Sequence, residues 1–302
     1  LAIAFYLKSS PKKLDSSIHR DKISPRKKKR PAQMMRTAFL TLTHFFHEDI
    51  TAEAHKIAHA TKALGDSWIL CQGSPTDAGE LQDTTIPVHY SSTEAIHALG
   101  FQMIAKTVVP GSASFSLLHF ARQHPEYDYY WVIEFDVRFR GFWKTFFESF
   151  QDVSTDLIAS HVHRFDEEQY WHFWSLEHPH DHIRIEDRIR CFHPIFRISK
   201  RAITFLDSML SQGWKGHSEM LMPTLLHHYG YSIGDFGGNG PFRMKEKKSF
   251  YKGTPPTIIG RLDQGTLRWR PGFKRVGMRW NNIYHPVKPR TVPQQSSRTF
   301  RT

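Results

Sequence analysis

Cysteine is scarce in this sequence, negative charge is thin, and no apolar run approaches the length of a membrane span. Two cysteines among 302 residues, Cys71 and Cys191, make neither a disulfide framework nor a thiolate zinc site, which fits a reducing compartment. The N-terminal LAIAFYL is far shorter than the ~20 apolar residues of a spanning helix. Its charges follow the apolar stretch, whereas a secretion signal carries them before it. We therefore expect no anchor and no signal, and a cytoplasmic protein that is at most peripheral to a membrane.

Lysine and arginine outnumber aspartate and glutamate by 41 to 29, for a formal net charge of +12. Residues 1–33 hold ten basic and two acidic residues and so carry eight of those twelve charges. The rest of the chain is only mildly basic, which removes most of the case for a basic nucleic-acid-binding fold. RKKKR at 26–30 reads as a solvated, disordered tail, and we expect the native fold to begin at about Met34. The full sequence is 39% hydrophobic and 14% aromatic, enough to bury a substantial core.

From there, strand-like and helix-like segments alternate. Strands are expected over 37–45, 67–72, 84–90 and 129–141, and helices over 49–64 and 112–122. The second half adds helices over 141–150, 199–210 (capped by Ser199) and 218–230 (interrupted by Pro223 and ended by Gly230). It also adds strands at 156–162 and in YSIGDFG. This order predicts an α/β domain over 34–244, with a mostly parallel sheet flanked by helices. The Pro-, Gly- and Lys/Arg-rich segment 245–302 reads as a loop-rich extension that closes over the site.

The strand YYWVIEFDVRFRG ends in charge. Alternation along a strand would put Glu134, Asp136, Arg138 and Arg140 on one face, beyond the carboxyl end where such sheets bind ligands. An acid-x-acid pair can hold Mg²⁺ or Mn²⁺, which also bridge phosphate oxygens, and the arginines could meet diphosphate charge. Downstream, GHSEMLMPTLL offers Glu219 as a general base, or as a helix-start acid that complements the macrodipole. His217 beside it is a helix flank or a hydrogen-bond donor to substrate. WNNIYHPVKPR adds His285 and Lys288, either as a loop or as a basic segment folded back over phosphates. The glycines of GGNGPF at 237–242 read as a turn lining the acceptor side.

In that order, YYWVIEFDVRFRGFW, GHSEMLMPTLL and IYHPVK resemble a glycosyltransferase of the GT-A type. Within that type the likeness is to families whose central motif is an apolar strand, Glu/Asp-x-Asp, Val and then an aromatic before Gly. The resemblance spans roughly residues 36–288, and its specific part is these three stretches. It implies a GT-A-like, Rossmann-like single domain and transfer of a sugar from a nucleotide-diphosphate donor to a glycan, lipid or small-molecule hydroxyl. It further implies Mn²⁺ or Mg²⁺, with Asp136 as metal ligand and Glu134 as a ribose or metal contact. Glu219 matches the acceptor-side acid, and His285 the histidine that reaches metal or diphosphate. Arg138, Arg140 and Lys288 would be auxiliary cations. The one departure is Glu134, where the family usually carries Asp.

Two other readings stay open at this level. His161 and His163, two apart at a strand end, could hold zinc or iron with Asp166 or Asp181 in a metallohydrolase, with HPHDH nearby. WHFWSLEHPHDH otherwise reads as an aromatic, polar loop over the site. Alternatively, the basic tail could make this a non-catalytic binder of nucleic acid or anionic surfaces.

Overall fold

A computed structural model describes residues 35–79, 85–255 and 261–289, all within the compact unit Met35–Thr302. The basic tail expected at 1–33 lies outside the described residues. Eleven strands and six helices are present among those described. The strands are β1 (Thr37–Thr43), β2 (Gly65–Gln72), β3 (Val88–Ser91), β4 (Tyr129–Glu134), β5 (Arg138–Arg140), β6 (Leu157–Arg164), β7 (Leu176–Glu177), β8 (Ile189–Ser199), β9 (Lys215–Gly216), β10 (Ile233–Asp235) and β11 (Asn282–Tyr284). The helices are α1 (Glu48–Thr61), α2 (Thr93–His97), α3 (Phe115–Gln123), α4 (Trp143–Glu148), α5 (Lys200–Ser211) and α6 (Ser218–His228).

Seven strands form one sheet in the order β10-β6-β8-β4-β1-β2-β3. Every pairing in it is parallel except those of β8, which runs antiparallel to both β4 and β6. This is the α/β, mostly parallel sheet flanked by helices that the order of elements predicts. Period-two alternation divides the core between the two faces. Leu40, Tyr130, Val132 and Ile198 pack with Phe120 of α3, Leu206 of α5 and Leu225 of α6. Phe39, Trp131, Ile133 and Ile195 pack on the other side with Ile57 of α1 and Phe146 and Phe147 of α4. Among the described residues no helix is long and apolar enough to cross a membrane.

Two expectations are corrected, and two elements are added. The segment 129–141 is two strands: β4 stops at Glu134, a turn follows in which the Val137 amide donates to the Glu134 carbonyl (3.0 Å), and β5 pairs with β11 in a separate ribbon. Pro223 does not interrupt its helix, since α6 runs through it to His228. The longest strand, β8, was not foreseen, nor was the short helix α2. The GGNGPF glycines give Tyr251 room: a Cβ on Gly237 would lie 2.4 Å from its ring.

Candidate active site

Glu134 ends β4 on the same face as Tyr130 and Val132, toward α3 and α6. With Val132 it lines a small crevice shared with Leu42, Leu70, Ser114, His193 and Ser218. Asp136 lies in the turn beyond and is only 2% exposed. The pairing of β11 with β5 brings the C-terminal segment back across this turn. The Ile283 amide donates to the Phe250 carbonyl (2.7 Å), the His285 amide to Thr266 (3.0 Å), and the Val287 amide to the carbonyl of Asp136 itself (2.8 Å). His285 and Lys288 are delivered to the acids in this way.

His285 Nε2 stands 3.3 Å from Glu134 Oε2 and 3.3 Å from Asp136 Oδ1. Its Nδ1 faces the Arg268 carbonyl at 2.7 Å, so Nδ1 carries the proton and donates, and the ring is oriented with Nε2 on the acids. Lys288 Nζ donates to Asp136 Oδ2. Burial alone would lift the Asp136 carboxyl, but the hydrogen bonds and charges of His285 and Lys288 outweigh it and hold it below the usual carboxylate range. Burial would likewise lower His285, and the two carboxylates overcome it and raise the ring to about 9.

Glu134, Asp136 and His285 each offer a ligand atom within 4.8 Å of the others, the one such group of three among the described residues. Asp136 Oδ1 is buried and has no well-formed hydrogen bond, only the 3.3 Å approach of His285. A buried carboxylate oxygen left in that condition, beside a second carboxylate and an imidazole held by its far nitrogen, fits a small divalent cation of the Mn²⁺ or Mg²⁺ kind.

Next to the crevice residue Ser218, Glu219 sits in the first turn of α6 behind the N-cap His217, whose Nδ1 accepts from the Glu219 amide (3.3 Å). Burial raises the Glu219 carboxyl to about 7. The Arg190 charge and the His193 amide, which donates to Oε1 at 3.2 Å, oppose that rise, and the charge of Glu134 adds to it. The start of the WHFWSLEHPHDH segment meets the N-cap: Phe173 packs on the His217 ring at 4.6 Å and Trp171 at 5.3 Å, and the Arg190 guanidinium lies 4.4 Å from the Trp171 ring.

The two arginines of the motif are not brought to the acids. Arg138 donates to the carbonyls of Phe135 (2.6 Å) and Val137 (2.9 Å), while exposed Arg140 lies over Trp280 at 5.9 Å. The chain turn at 134–137 breaks the alternation that would have aligned them. His161 and His163 do not converge on a shared metal position either. His161 Nε2 faces the Leu267 carbonyl at 2.8 Å, and His163 lies between Glu167 and Glu168 at 3.8 and 3.9 Å. Sequence reasoning missed His193, Arg190 and an aromatic platform in which His44 and Phe45 lie 5.4 and 5.1 Å from Phe135, itself 5.2 Å beneath Lys288 Nζ. The platform had a readable signal, because THFFH leaves the carboxyl end of the first strand.

A family model described as "Protein of unknown function (DUF3405)" matches residues 81–156, the stretch that carries Glu134 and Asp136. No curated protein matches the chain. Among solved structures, a glycosyltransferase involved in the glycosylation of the major capsid of PBCV-1 aligns at 13% identity and a TM-score of 0.28, over 58% of this chain and 64% of that one. A Bacillus anthracis protein provisionally assigned as a glucose-1-phosphate thymidylyltransferase, in complex with a sucrose, aligns at 12% identity and a TM-score of 0.38, over 67% of this chain and 86% of that one. The chain thus spans a little less than two thirds of the viral protein's length.

Proposed function

We propose that this protein is a metal-assisted glycosyltransferase that moves a sugar from a nucleotide-diphosphate donor to a hydroxyl acceptor. The observation that carries the reading is the convergence of Glu134, Asp136 and His285 at the carboxyl end of β4, with Lys288 beside them and Glu219 bonded to the crevice residue His193. Asp136 and His285 would hold Mn²⁺ or Mg²⁺, with Glu134 as third ligand or ribose contact. When bound, the ion supplies positive charge against the departing diphosphate. Lys288 adds a second cation for the diphosphate, and its 56% exposed side chain leaves it room to turn toward a ligand. His44, Phe45 and Phe135 offer faces for a ring of the donor.

Glu219 takes the proton from the attacking hydroxyl as the new bond forms at the anomeric carbon and the bond to diphosphate breaks, which is inverting chemistry. His217, Trp171 and Phe173 line the acceptor side, where aromatic faces bury the apolar side of a sugar ring.

The test is a thermal-shift screen of nucleoside diphosphates with and without Mn²⁺. The expected outcome is a metal-dependent rise in melting temperature that Asp136→Ala abolishes. No shift with any nucleotide, or an undiminished one in the variant, would sink the reading.

A further inference from the structure

On the molecule's flank, Phe142, Met278 and Trp280 are 69%, 94% and 55% exposed. Phe142 and Trp280 meet edge-on at 5.7 Å, held together by the Asn281 amide donating to the Arg140 carbonyl at 2.6 Å. Large apolar side chains left in water forgo the free energy of burial, so a cluster of them marks a contact surface. The same Phe142 lines a broad groove between α1 and α4 with His55, Lys56, His59, Lys62 and Lys144.

Basic residues outnumber acids around this cluster. From Gln264 to Pro289 the sequence contains no Asp or Glu, while Lys274, Arg275 and Arg279 are exposed beside Met278 and Trp280. The acids that face the groove are accounted for: Glu53 is buried against Lys56 (3.1 Å) and Trp143, and Glu148 lies 3.8 Å from Lys144. Projecting aromatics and methionine, ringed by long cationic side chains, combine the two signals that hold a protein reversibly at an anionic bilayer: apolar insertion at headgroup depth and attraction to acidic lipid.

We propose that the face formed by Phe142, Met278 and Trp280, with Lys144, Arg275, Arg279 and the groove lysines around them, docks on an anionic lipid bilayer. This does not depend on the glycosyltransferase reading, because none of these side chains belongs to the candidate site.

The test is co-sedimentation of the full chain with phosphatidylcholine vesicles, with and without phosphatidylserine, circular dichroism confirming that each variant is folded. Wild type should partition to the phosphatidylserine vesicles and not to phosphatidylcholine alone. Phe142→Ser, Met278→Ser and Trp280→Ser together should weaken that partition by roughly tenfold or more. Lys144→Glu with Arg279→Glu should remove most of the phosphatidylserine dependence. Failure of wild type to bind, or a folded triple variant that binds as well as wild type, overturns the proposal; the second result would move binding to another part of the chain. Binding of single-stranded RNA through these three residues, with no vesicle binding, overturns it as well.

Discussion

Glu219 illustrates how much a single side chain's behaviour depends on what surrounds it. Its carboxyl is largely withdrawn from water, keeps one backbone donor, and is raised to about 7. A general base must be ionised, so turnover should climb as pH rises through about 7, and Glu219→Gln should lower kcat by about 10²–10⁴-fold and erase that limb. Stability should move the other way. The folded protein holds this proton more tightly than the unfolded chain between the ordinary value of 4.5 and about 7, so its contribution is complete in acid and lost as pH rises through that window. Asp235, also raised to about 7, adds a parallel slope, so the measurement is the difference between wild-type and Glu219→Gln denaturation midpoints across that range. At this scale the acids were legible because a strand end displays them. Arg138 and Arg140 were misplaced because a turn of a few residues cancels period-two reasoning.

Among elements, β8 is the instructive omission. It is buried along its whole length, yet it contains Arg190, His193, Pro194 and Arg197, a composition that reads as loop. Its cationic side chains exchange water for partners that are distant in sequence: Arg197 donates to the carbonyls of Phe150 (2.7 Å), Val153 and Thr155, and Arg190 pairs with Glu168 at 2.9 Å. Pro194 falls where the pairing of β6 with β8 slips between Ile158/Arg197 and Ser160/Phe192, a bulge that tolerates a missing amide. At the same bulge the His193 amide is turned to Glu219, so a feature that hides the strand in sequence helps build the site. A second junction is held by buried Asp156, which accepts from Ser199 Oγ (2.8 Å), Arg201 Nε (2.6 Å) and both the amide (3.0 Å) and hydroxyl (2.8 Å) of Ser232. Asp156→Ala should cost about 2–3 kcal/mol in urea denaturation, without altering the metal-dependent nucleotide response at low denaturant.

For the whole molecule, the decisive event is the return of the C-terminal segment over the turn at Asp136. His285 is supplied from that segment, so ion binding should be linked to global stability. With Mn²⁺ at about a hundred times its dissociation constant, wild type should gain about 2.7 kcal/mol, seen as a raised melting temperature, and His285→Ala should lose most of that gain while remaining folded. The alternation of the other main strands and helices and the acids at the end of β4 follow from periodicity along short stretches, and there local sequence suffices; β8 and α2 lie outside its reach. Only the tertiary structure decided that His285 stands 3.3 Å from both acids, that Arg138 turns away to backbone carbonyls, and that the His193 amide meets Glu219. Those outcomes rest on strand register, a bulge and the long return of β11 to β5, pairings between distant residues that no local pattern encodes.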